Sequence, residues 1–330
     1  MNRRAFLGHG AAAVAGASLV RGAVAADAPA AGATRPPFRH HIKKAVIIGA
    51  VNEATLKPLA AAGFDGVEST AIVAPEKALE GRRLAESLGL RVHSVLRGWA
   101  EFNSPKPELV KATWDTTAAA LRASQAYGGD TVLMVPCRIG GMKMPAPWEF
   151  KVEFDPATGR LLQVVEGDNA PYKAYMEAHD HAWDTSQEQM GKLIDVAKET
   201  GVVIAMECVW NNLWVDPHHY AAFIDSFHSP WVKSYFDIAN MVEYSPPQGW
   251  IRILRQRIAK CHFKGFKLNP DGHGGRFVDP YDDSIDWPEV RRALDEIDYD
   301  GWWTNEGSDA LGPVERARRM NLAEAGAAKA

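Results

Sequence analysis

The stretch "SYFDIAN", residues 234–240, sets one carboxylate, Asp237, at the end of an apolar, aromatic run. A run of that kind reads as a buried strand, and a buried carboxylate needs a cation or dense hydrogen bonding to stay ionised. The same arrangement recurs on either side. In "VVIAMEC" (202–208), Glu207 is the first charge after five uncharged residues. His262 in "AKCHFKG" (259–265) and Glu306 in "WWTNE" (302–306) hold corresponding places.

Working outward, short β-rich runs alternate with longer amphipathic ones. Further strands are expected at "KAVIIGA" (44–50), "GVEST" (66–70), "RVHSVLR" (91–97), "TVLMVP" (131–136) and, ahead of Asp237, "VKSYFD" (232–237). Helical patterns such as "PEKALEGRRLAESLG" and "SQEQMGKLIDVAKETG" lie between them, and several end in Gly, a common helix stop. Eight strand–helix units predict a parallel α/β fold, and the chain length favours a closed (β/α)₈ TIM barrel over an open doubly wound sheet. "IIGAVNEAT" after the first strand has one glycine and no G-x-G-x-x-G, which counts against a dinucleotide site. Residues 137–182 form a long insert after the fourth strand. Within it, "FKVEFDPATGRLLQVV" reads as a β-hairpin turning at 155–159, either a lid or a surface decoration.

Strand phase groups the polar residues. Successive side chains point to opposite faces, so with Glu207 and His262 in the lumen, Met206, Cys208, Cys261 and Phe263 point outward to the helices. Cys208 and Cys261 are then small hydrophobes between strand and helix, not ligands. Glu207, Asp237, His262 and Glu306 close four consecutive strands at the end where barrels carry their sites. Each alone would pass for an ordinary strand-end polar group. Together they predict one divalent ion: Mn²⁺, Mg²⁺ or Co²⁺, with Zn²⁺ also compatible.

Composition and the chain ends bound the rest. Residues 1–25 carry Arg3-Arg4, a weakly apolar Ala/Gly-rich stretch and Ala23-Val24-Ala25 before Ala26, the pattern of a cleaved twin-arginine export signal. Such export implies a periplasmic protein that folds and loads its cofactor first. An Ala/Pro-rich leader follows over 26–42, the barrel is expected over 43–325, and 326–330 reads as a disordered tail. Without the signal, 34 basic residues face 41 acidic ones, a net charge of −7 with no basic cluster. Nucleic acid is therefore an unsuitable partner, and no later run is long enough to span a membrane. Three scattered cysteines make no disulfide framework. A homo-oligomer is left open.

At "MECVWNNLWVDPHHYAAFID", "SPWVKSYFDIANMVEY", "QGWIRILRQRIAKCHFKGFK" and "IDWPEVRRALDEIDYDGWWTNEG", the chain resembles the sugar phosphate isomerase/epimerase family of xylose isomerase-like TIM barrels, over roughly residues 43–325. "GFDGVEST" (63–70) is similar to the family's second strand. The resemblance implies one divalent ion on Glu207, Asp237, His262 and Glu306. It further implies that Glu207 and Glu306 move protons at a substrate carbon, the metal acting as a Lewis acid toward a ketose. Two departures bear on substrate. Gly265 stands where the family often has Asp after His-x-Lys, and Asn240 where it often has His after the metal Asp.

Glu68, His93 and Lys264 share the inward phase and are candidate sugar contacts, as are Asn211 and Asn240 just past ligand strands. Trp99, Trp210 and Trp214 would form either an apolar wall for a sugar face or plain core. His218 and His219 open a helix and are expected to be solvated. "DGHGGR" (271–276) lacks the Lys-Ser/Thr of a P-loop and reads as a mobile loop. The function expected is a metal-dependent sugar isomerase or epimerase, on an unphosphorylated or oxidised sugar given export. A keto-sugar lyase or dehydratase would use the same metal and base, and its product would show loss of water or aglycone. A non-catalytic sugar-binding protein would bind without proton exchange at the α-carbon.

Overall fold

The apolar runs form the staves of one closed parallel barrel. A computed structural model describes residues 38–307 and 310–329. The export signal and leader residues 26–37 lie outside the described residues. The barrel strands are β1 (Lys43–Ile48), β2 (Gly66–Ser69), β3 (Arg91–Trp99), β4 (Thr131–Val135), β7 (Val203–Glu207), β8 (Val232–Asp237), β9 (Ile258–Phe263) and β12 (Trp302–Asn305). They close in the order β1-β12-β9-β8-β7-β4-β3-β2. Two antiparallel hairpins stand outside this ring: β5 (Glu153–Phe154) with β6 (Leu161–Gln163), and β10 (Gly265–Leu268) with β11 (Gly275–Val278).

The outer layer is α1 (Glu53–Ala61), α2 (Pro75–Ser87), α3 (Pro107–Tyr127), α4 (Lys173–Thr200), α5 (Pro217–Asp225), α6 (Pro247–Leu254), α7 (Trp287–Glu296) and α8 (Pro313–Glu324). Local chemistry sets where several begin. Asn52, Asp216 and Asp286 accept first-turn amides of α1, α5 and α7, and in α5 and α7 Pro fills an early position where no amide is needed. Among the described residues, no helix is long and apolar enough to cross a membrane.

The expected phase holds. Met206, Cys208, Cys261 and Phe263 lie in the large apolar layer between strands and helices, while Leu133, Ala205 and Tyr235 form a separate small cluster in the lumen. Glu207 follows Ala205 by two residues and Asp237 follows Tyr235 by two, so both carboxylates sit above this apolar floor. All three cysteines are buried and free.

Several expectations are corrected. The helix expected from residue 186 begins at Lys173, which shortens the insert. Residues 271–276 are no isolated loop but the turn of the β10–β11 hairpin and the start of β11. His219 is 1% exposed rather than solvated. Its ring stacks between Trp183 (4.6 Å) and His179 (5.0 Å), and its Nε2 meets the Gly159 carbonyl at 2.7 Å, tying the β5–β6 turn to α5. At the edges of the barrel, Ile42 is fully buried, and Lys329 Nζ reaches the Asp283 carbonyl at 2.6 Å.

Candidate metal centre

Strand register brings the four strand-end residues together. Asp237 is paired with His262 across β8 and β9, and His262 with Thr304 across β9 and β12, two residues before Glu306. Glu207 is paired with Tyr235 on β8. One ligand atom from each of Glu207, Asp237, His262 and Glu306 lies within 4.8 Å of all the others. His262 Nδ1 is the hub, at 3.4 Å from Glu207 Oε1, 3.8 Å from Asp237 Oδ2 and 3.2 Å from Glu306 Oε2.

Three of the four side chains are aimed by a further contact. Asp237 Oδ1 accepts the amides of Ala239 and Asn240, both at 2.8 Å, which leaves Oδ2 pointing elsewhere. His262 Nε2 lies 2.9 Å from Glu68 Oε2, and Glu68 Oε1 accepts from Ser94 Oγ at 2.7 Å. The Tyr235 ring sits 4.5 Å from the imidazole, and its hydroxyl meets Thr304 Oγ1 at 3.0 Å. Lys264 Nζ reaches Glu306 Oε2 at 3.2 Å and lies 3.7 Å from Asp237 Oδ2.

The electrostatics call for more positive charge. Burial pushes the Asp237 carboxyl up to about 7, with Lys264 opposing the shift. Burial likewise raises Glu207. Burial also acts to raise Glu306, but the close approach and charge of His262, with Lys264, outweigh it and hold this carboxyl low. Burial would depress His262, yet the carboxylates of Glu207, Glu306 and Glu68 beside its ring carry it well above the usual imidazole range. Two buried atoms facing the cluster, Asp237 Oδ2 and His262 Nδ1, have no hydrogen-bond partner. Such atoms carry a desolvation penalty of about 1–3 kcal/mol each unless something binds them. Three carboxylates and one imidazole around those atoms suit a divalent cation with mostly oxygen ligands.

The other candidates divide. Lys264 is at the centre. Glu68, expected to touch sugar, is fully buried and its two oxygens serve His262 and Ser94, so it positions the His262 ring. His93 is also fully buried, its ring stacked on Trp302 at 4.2 Å and its Nε2 on Thr304 Oγ1 at 3.0 Å, which makes it a core residue. Asn211 Oδ1 accepts the amides of Leu213 and Trp214. Asn240 Nδ2 donates to the Cys208 carbonyl, while Trp210 Nε1 donates to the Asn240 carbonyl. Both asparagines brace the loops after β7 and β8, and Asn211 Nδ2 has no hydrogen-bond partner. Trp214 is core; Trp99 is 40% exposed. Tyr235 and Ser94 were missed, although Tyr235 shares the phase of Asp237.

Comparison with known proteins agrees with this geometry. Residues 56–325 match the family model described as xylose isomerase-like TIM barrel. A xylose isomerase domain protein from Planctomyces limnophilus is 15% identical, with a TM-score of 0.63 over 86% of this chain and 96% of that one. A 3-keto-D-glucoside 4-epimerase from E. coli is 15% identical, with a TM-score of 0.59 over 86% and 99%. A D-psicose 3-epimerase from Clostridium cellulolyticum H10 is 16% identical, with a TM-score of 0.62 over 87% and 100%. At these identities the likeness is one of fold. No curated protein matches the sequence. The eight-stranded barrel and the family match together identify this chain as a member of the xylose isomerase-like TIM-barrel family.

Proposed function

We propose that this protein is a divalent-metal-dependent sugar isomerase or epimerase that moves a proton at the carbon beside a keto group. One observation carries the reading. Of the four clustered residues, only the two glutamates keep surface toward the mouth: the side chains of Glu207 and Glu306 are 11% and 34% exposed, against 0% for Asp237 and 1% for His262. The glutamates also occupy the outer positions of the arc β7-β8-β9-β12, so they approach a bound carbon from two sides.

Asp237 and His262 would hold the ion, with Glu207 and Glu306 completing its shell. When bound, the ion supplies Lewis acidity that lowers the cost of the negative charge developing as the α-carbon loses its proton. Glu306, held ionised by His262 and Lys264, takes that proton from one side. Glu207, whose buried carboxyl is pushed toward its protonated form, returns one on the opposite face in an epimerase, or on the neighbouring carbon in an isomerase. Lys264 stands ready to donate to a substrate oxygen. The sugar epimerases among the structural relatives support this reading. Its test is incubation of the metal-loaded protein with a panel of ketoses in D₂O. Solvent deuterium should enter the α-position of the substrate; metal-dependent binding with no exchange would refute it.

The proposed location is the periplasm, and the proposed substrate an unphosphorylated or oxidised sugar, on the strength of the twin-arginine pattern. The exported protein should begin at Ala26 by mass spectrometry, and replacing Arg3 and Arg4 by Lys should keep it in the cytoplasm. Full-length protein in the cytoplasm, or a strong preference for phosphate esters, would count against this.

A further inference from the structure

Strand β3 ends in a built feature that the metal centre does not use. Its register against β4 slips between Leu96 and Gly98, a bulge that Gly98 accommodates with φ +75°. Bulges beside active sites re-aim the side chain that follows, here Trp99. The strand end is then pinned. The Arg97 guanidinium donates to the Trp99 carbonyl and, through Nε, to Thr117 Oγ1 at 3.1 Å on α3. The Ala100 amide donates to the Val135 carbonyl at 2.7 Å, and Asn103 Nδ2 to the Arg138 carbonyl at 2.8 Å. So much fixing serves an indole that stays 40% exposed, with the Arg138 guanidinium 3.8 Å from its ring centre. Beside the pair lies a cleft of about 530 Å³, lined also by Glu101, Asn103 and Ser104.

A part-exposed indole with a guanidinium over one face, beside a carboxylate, an amide and a hydroxyl, has the chemistry of a sugar ring's partner: an apolar surface with hydrogen-bonding groups next to it. Its place decides what kind of sugar. In the closed ring of eight strands, β3 stands opposite β9, the strand of His262, and Trp99 is at the same end of the barrel. Eight spacings of about 4.8 Å, with tilt, make the ring roughly 12–15 Å across. A span of that size is wider than one sugar ring and suits two joined rings. The loop after β4 also reaches the metal side directly: Asn212 Nδ2 donates to the Ile139 carbonyl at 2.8 Å, and the Ile139 amide to the Asn211 carbonyl at 3.0 Å. We infer that Trp99 and Arg138 form a second sugar subsite, so that the substrate class is a glycoside or disaccharide with its keto-bearing ring at the metal centre. The substrate part of this inference rests on the function proposed above; the subsite does not.

Two measurements on the full metal-loaded protein test it. In the first, deuterium exchange is compared for D-fructose and for lactulose and isomaltulose, which end in the same ketose. The wild type should favour the disaccharides in kcat/KM. Trp99→Ala should cut that preference about tenfold, equivalent to about 1.4 kcal/mol of aromatic contact, chiefly through KM, with Trp99→Phe retaining most of it. No disaccharide preference, or an unchanged preference in Trp99→Ala, would overturn the substrate class. The second is saturation-transfer NMR of cellobiose, which needs no turnover. Binding to the wild type that persists after chelation of the metal and is lost in Trp99→Ala would establish the subsite even if no sugar exchanged. Absence of binding to the wild type, or equal binding to the variant, would overturn it.

Discussion

Glu68 Oε2 sits 2.9 Å from His262 Nε2, both residues fully buried, and this contact turns the imidazole so that Nδ1 faces Glu207, Asp237 and Glu306. A carboxylate behind a ligating histidine fixes its tautomer and strengthens it as a donor. Removing the charge while keeping the shape, as in Glu68→Gln, should weaken metal affinity by about 10–100-fold. Isothermal titration with Mn²⁺ measures this. Unchanged affinity would show that the contact is packing alone.

The unpartnered Asp237 Oδ2 and His262 Nδ1 predict that metal stabilises the fold. At a free-ion concentration of 100 times Kd the gain is about 2.7 kcal/mol. Differential scanning calorimetry should show Tm rising with added Mn²⁺ and falling with chelator. Asp237→Ala and His262→Ala should abolish the response.

Proton transfer and ion holding separate at the two glutamates. Glu306→Gln keeps an oxygen ligand but cannot carry a proton, and should lower the rate of α-carbon exchange by about 10²–10⁴-fold. Rapid-quench measurement at saturating metal is the check. A loss that excess metal restores would make Glu306 a ligand only.

His219 predicts acid sensitivity remote from the centre. Burial, with His179 adding to it, pushes its pKa down to about 3, while Gly159 and Asp180 oppose the shift. The folded pKa lies below the unfolded value of about 6.5, so the folded state binds fewer protons. The stability it contributes is complete above pH 6.5 and declines as pH falls toward 3. The loss amounts to about 2 kcal/mol by pH 5. His219→Gln should flatten urea-denaturation midpoints between pH 6.5 and 5. An unaltered slope would place the acid sensitivity elsewhere.

Gly159 has φ +73°, and a Cβ there would stand 2.1 Å from the Trp183 ring. Gly159→Ala should therefore destabilise by about 1–3 kcal/mol, from backbone strain and overpacking together. Chemical denaturation would register it, together with faster proteolysis within 150–165.

The four-residue cluster was legible because its signal is local. A strand has a two-residue period, a parallel barrel puts every strand's end on one rim, and Glu207, Asp237, His262 and Glu306 each mark such an end. The β10–β11 hairpin was not legible. Gly265 and Gly275 interrupt the strand pattern because backbone from the partner strand lies where a side chain would be.

The sequence alone determined the succession of strands and helices and the residues at the mouth, since both follow from periodicity along the chain. Only the tertiary structure decided what the inward polar residues do. Glu68 became the support of His262 and His93 became core, His219 was sealed beneath a hairpin, and Trp99 was left facing solvent. The physical reason is that a side chain's partners are set by register between strands and by packing of elements far apart in sequence, and neither leaves a mark on the residues nearby.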